Sequence, residues 1–164
     1  MSEDTIDKKI DFAKFVINHN VELINFADTK ASAILATAGV ILGLLLFLDI
    51  EKISLLIIVE VIVTVVLLGA TIVYSFSVIL PRLIPKTKTE TAIFYKSIIQ
   101  QTKDEFKENF KNMDLNSILD DCLGNIHALA NIQNKKYTQL RMSLFLMLYS
   151  IISLIITLIT YFII

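Results

Sequence analysis

Charge-free apolar runs alternate along this chain with segments of mixed, largely polar character. Ala31–Leu48 carries no charged side chain, 53–80 carries only Glu60, and 143–164 carries none. At about 1.5 Å of rise per residue these runs measure roughly 27, 42 and 33 Å as helices, against about 30 Å of bilayer hydrocarbon. The middle run is long for one crossing and has to tilt or project into the interface. Isolated segments in lipid must satisfy their own backbone hydrogen bonds, so each run is expected as a helix. The expected fold is an all-α integral membrane protein with three transmembrane helices and a small cytoplasmic helical bundle.

The remaining segments read as amphipathic helices. Residues 1–30 place Ile6, Ile10, Ala13, Ile17, Val21 and Ile24 on one apolar stripe. No Gly or Pro intervenes before Gly39, which lets this helix run straight into the first span at 31–48. Pro81 and Pro85 end the second span, 53–80, as it leaves the membrane. Within 81–142, Tyr95, Ile99, Phe106 and Phe110 mark one helix, with Lys103, Asp104, Lys107 and Lys111 on its wet side. Asp114 is placed to cap the next, whose stripe is Leu115, Leu119, Cys122, Ile126 and Leu129. Those alternating steps of four and three suit bundle or coiled-coil packing. The third span, 143–164, follows. No strand pattern, internal repeat or low-complexity tract is visible.

Composition agrees with a membrane protein: 55% of residues are hydrophobic and the mean hydropathy is +0.68. The net charge of −1 hides an uneven layout. Lys8, Lys9, Lys14 and Lys30 precede the first span; Arg82, Lys86 and Lys88 follow the second; Lys135, Lys136 and Arg141 precede the third. The turn between the first two spans has only Lys52 against Asp49 and Glu51. The positive-inside bias puts the N-terminus and 81–142 in the cytoplasm, and Ile164 outside. The first residues are mixed in charge, so no cleavable signal peptide is expected and the first span does the targeting. Single Cys122 has no intramolecular disulfide partner.

Three features are candidates for function. Gly39 and Gly43 form a Gly-x-x-x-Gly face, either for self-association into a homo-oligomer or for packing against the other spans. Glu60, about two turns into the second span, is costly in lipid unless it faces protein, water or a partner; it lines a pore or sits near the outer headgroups. Asp28, Lys30, Arg82, Lys135, Lys136 and Arg141 gather at the inner boundary. Such a group could hold an anionic ligand, with Arg making bidentate phosphate contacts, or set topology and touch lipid phosphates. An acid there serves no topological purpose, so Asp28 is expected to pair, with Arg82 the candidate partner. No nucleophile motif, phosphate loop or metal-ligand spacing occurs, so no enzyme activity, metal or cofactor is expected. Acids and bases interleave, which leaves no nucleic-acid-binding face.

Ala27-Asp-Thr-Lys-Ala-Ser32, Leu80-Pro-Arg-Leu83, Ile126-His-Ala-Leu-Ala130, Lys136-Tyr137 and Leu140-Arg141 together resemble the membrane effector family of Pycsar. Pycsar is a bacterial anti-phage system in which a partner cyclase makes cyclic CMP or cyclic UMP after infection. The resemblance implies an effector that this cyclic pyrimidine nucleotide activates. It then impairs the bilayer and halts the infected cell before phage release (abortive infection). It also implies that Asp28, Lys30, Arg82, Lys136, Tyr137 and Arg141 contribute to ligand binding. No β-roll nucleotide module is visible, so that site has to be built from helices. Two rivals remain: a membrane-anchored scaffold or sensor recruiting a cytoplasmic partner, and a small channel subunit using Glu60.

Overall fold

The computed structural model describes residues 3–46, 54–80 and 101–163. Among them lie α1 (Glu3–Leu45), α2 (Leu55–Ile79), α3 (Lys103–Lys111) and α4 (Leu115–Ile163), with no strand. Three of these helices, α1, α2 and α4, are long and apolar enough to cross a membrane. At 43 and 49 residues, α1 and α4 reach about 65 and 73 Å, roughly twice the hydrocarbon thickness. Each therefore contributes to both compact units of the chain. One unit comprises Asn25–Pro81 and Lys135–Ile164; the other comprises Met1–Ile24 and Arg82–Asn134.

Local chemistry sets the helix ends. Ser54 caps α2, its hydroxyl accepting from the Ile57 N–H at 3.4 Å. Leu80 closes it at φ −55°, ψ 130°, the extended conformation that a following Pro81 imposes. Thr102 and Glu105 form a reciprocal capping box at the start of α3. Asp114 caps α4 as expected, accepting the Ser117 N–H at 3.0 Å. Tyr95, Ile99, Pro81 and Pro85 lie outside the described residues.

The apolar unit is a bundle of α1, α2 and α4 with a repeat of 3.5. Its buried positions step by three and four: Ala27, Ala31, Ile34, Ala38 and Ile41 on α1; Thr64, Leu68, Thr71, Ser75 and Val78 on α2. On α4 they are Lys136, Leu140, Ser143, Met147, Ser150, Leu154 and Thr157. That period imposes a left-handed supercoil. Alternate buried positions are small or hydroxylic, which lets backbones approach closely where lipid offers no hydrophobic drive. The larger Leu68, Leu140, Met147 and Leu154 fill the layers between.

In the polar unit, Ile6, Ile10 and Ala13 of α1 and Cys122 of α4 are buried. Two sequence expectations change here. Val21 is exposed, and the half-buried line passes instead through Asn20, because a 3.5 repeat drifts away from Val21. Asn20 turns its amide back to the Val16 carbonyl at 3.0 Å. Phe110 is also exposed, while Phe106 is half-buried; α3 buries none of its residues fully. Lys8–Asp4 and Lys14–Asp11 are exposed pairs within α1 and add little stability. Burial pushes the Cys122 thiol up, which suits an inert core cysteine.

Candidate functional site: a buried ion pair and a polar seam

Lys136 falls on the buried stripe of α4, one turn before Leu140, where an apolar residue is the default. Its side chain is 5% exposed, and its ammonium donates to Asp28 Oδ1 of α1, a side chain 33% exposed. A cation at that depth is tolerated only with a partner, since desolvation costs several kcal/mol per ion. Ala27 and Ala31, both fully buried, flank Asp28 on the inner face of α1. The pair thus links α1 and α4 at the end of the apolar unit where both helices begin their run through it.

The other residues of the expected ligand cluster are arranged differently. Tyr137 is half-buried and packs against the apolar core. Lys30 and Arg141 are exposed, and each lies over a phenylalanine of its own helix: Lys30 Nζ 4.2 Å from the Phe26 centroid, the Arg141 guanidinium 5.5 Å from that of Phe145. Both are cation–π contacts of modest strength at exposed sites. Arg82, and with it the expected Asp28–Arg82 pairing, lies outside the described residues; Asp28 is engaged by Lys136.

A line of hydroxyls runs between α2 and α4. Ser75 and Ser143 are hydrogen-bonded at 2.5 Å, and Thr64 and Ser153 at 2.8 Å. Thr160 donates to Glu60 Oε1 at 3.1 Å, in competition with its own Ile156 carbonyl at 3.0 Å. Glu60 Oε2 is buried with no hydrogen-bond partner among the described residues. Beside it lies a shallow, open groove lined by Val59, Val63, Tyr149 and Ile152, with Ser153 and Glu60 as its polar lining. Glu60 therefore faces α4 rather than open lipid. Sequence reasoning singled out Glu60 but missed Ser153 and Thr160; hydroxyls on a 3.5 repeat in the third span were the available signal.

Among the described residues, a Cβ added at Gly39 or Gly43 finds no atom within 4 Å. The groups of acidic, cysteine and histidine side chains that could hold a metal number none among the described residues.

Residues 12–163 match the family described as the Pycsar effector protein domain, which covers nearly the whole chain. The chain belongs to the Pycsar effector family. This agrees with the resemblance carried by the Ala27–Ser32 and Lys136–Arg141 motifs, both inside the matched region. No curated protein and no solved structure matches the chain. The family places this Pycsar effector in anti-phage defence, alongside a cyclic-nucleotide-signalling partner, and the three apolar helices make it a membrane protein. In it, the paired motif residues are Asp28 and Lys136.

Proposed function

We propose that the protein is an inner-membrane effector that cyclic CMP or cyclic UMP, made by a partner cyclase, switches on to impair the membrane and abort infection. The observation that carries this reading is the part-buried Asp28–Lys136 pair, a charged link between two long apolar helices within the region matched to the Pycsar effector family. A link of this kind is a two-state element: a ligand that favours its broken form shifts the bundle by its differential affinity. Some 2–3 kcal/mol of that difference converts a rare state into a substantial one. Lys30, Arg82, Tyr137 and Arg141 complete the ligand's surroundings, the arginines as forks for phosphate and the tyrosine as a face for the base.

The basic residues before the first and third spans orient the N-terminus toward the cytoplasm, where the messenger is made. Gly39 and Gly43, open to the outside of the bundle, are available to a second copy, and homo-oligomers are the responsive state. Glu60 and the α2–α4 hydroxyls supply polar lining for a leak once these helices part. The test is dye release from liposomes holding the purified protein. Release is expected with one of the two cyclic nucleotides and not with the matching linear monophosphate. Glu60→Gln should bind messenger like the parent and leak at a changed rate. Intact liposomes under every nucleotide would favour a scaffold that only anchors a partner.

A further inference from the structure

We infer that Lys136 is an anion site whose resident anion is the Asp28 carboxylate, and that the messenger's phosphodiester takes the place of Asp28. This rests on the reading of the chain as a nucleotide-activated effector and names the step by which the helices register binding.

The asymmetry of the pair carries the argument. The ammonium is the inner partner, 5% exposed, and the carboxylate is the outer one, 33% exposed. Asp28 can swing toward water because a third of its side chain already faces it. Lys136 cannot follow, because its stem occupies a core position between Gln133 and Leu140 on the 3.5 repeat of α4. The ammonium left behind would be a buried, uncompensated charge, so the carboxylate leaves only when another anion arrives. A cyclic nucleotide offers one negative charge on a phosphodiester, as the carboxylate does, and the exchange keeps the site neutral. An uncharged nucleoside leaves Lys136 unpaired and is excluded on that ground.

The exchange has a mechanical result. Before it, the charge contact ties α1 to α4; after it, Lys136 is satisfied by a ligand that has no covalent attachment to α1. Below the pair, α1 meets the bundle through Ala31, Ala38 and other short or aliphatic side chains. The apolar unit then loses an inter-helix tie without gaining a buried bare charge. Asp28 is in this sense a built-in competitor of the messenger.

Two measurements decide it on the full-length protein in detergent. The first is carbodiimide coupling of glycinamide to carboxyls in the unmodified sequence, read at Asp28 by mass spectrometry. Coupling at Asp28 should rise severalfold when cyclic CMP or cyclic UMP is added, and stay constant with cytidine or uridine. The second is calorimetric titration of the same nucleotides into variants. Asp28→Asn removes the competitor and should bind about tenfold more tightly, because the competent state is no longer mostly occupied. Lys136→Met should lose binding. A wild-type protein that binds the nucleotide with Asp28 coupling unchanged or lowered overturns the exchange, as does Asp28→Asn binding no more tightly. Should Asp28→Asn fail to purify as folded protein, the coupling result on the wild type decides alone. If neither nucleotide binds the wild type, the activation reading itself is wrong and the exchange falls with it.

Discussion

At the scale of single residues, the carboxylates that cap helix starts tie local structure to pH. Glu105 is held below the ordinary glutamate range by the Thr102 N–H first and its hydroxyl second. Asp114 is lowered by the Ser117 hydroxyl first and then its N–H. A carboxyl lowered by folding adds stability above its unfolded value and loses it as pH falls through the lower folded value. Both caps are thus complete at neutral pH and are lost only as pH falls below the ordinary glutamate and aspartate values. Amide exchange in α3 and in the first turn of α4 should accelerate between about pH 5 and pH 3, after correction for intrinsic exchange. Thr102→Ala should loosen α3 at every pH, by about 1 kcal/mol. Protection of α3 that ignores both pH and Thr102 would remove the capping argument. Asp114 was legible as a cap because Asp before an apolar stripe is a start signal. The Thr102–Glu105 box carries the same kind of signal.

Along the helices, the decisive quantity is the period. A spacing of 3.5 explains why Val21 leaves the buried line, why Lys136 joins it, and why Ser75 meets Ser143. Ser143 is fully buried, so its replacement tests the seam directly. Ser143→Ala keeps the small volume and should cost only about 0.6 kcal/mol, the usual worth of one interhelical hydrogen bond in a membrane. Ser143→Leu forces α2 and α4 apart and should cost about 1–3 kcal/mol, seen as a lower melting temperature in detergent. Equal melting of the two variants would mean that the helices are not in close contact there. Gly39→Leu and Gly43→Leu make the converse test. Both sites are open, so neither variant should lower the melting temperature. If a second copy uses this face, both should reduce crosslinked oligomers in membranes; unchanged ladders count against the oligomer.

For the whole molecule, membership of the Pycsar effector family and three long apolar helices fix the class. The orientation follows from basic residues alone and is open to a direct check. A reporter fused at the N-terminus should be active in the cytoplasm, and one fused after Ile164 should be active only outside. A C-terminal fusion active in the cytoplasm would break the three-span arrangement.

Hydrophobic patterning determined by itself that this chain crosses a membrane as helices, because an uncharged run near 20 residues has no other way to satisfy its backbone in lipid. Short motifs sufficed for the family, since Asp28, Lys136 and Arg141 stand in them as linear neighbours of apolar spans. Tertiary structure decided the partners. Asp28 and Lys136 are separated by more than 100 positions, and nothing local distinguishes Lys136 from Lys135, which is exposed. Only the phase of the α4 repeat turns one inward and the other out. Likewise, Glu60 reads the same in sequence whether it faces lipid or protein; the rotation of α2 against α4 sets it opposite Thr160. Charges one residue apart on a helix differ by about 100° in direction, and packing alone selects which of them is buried.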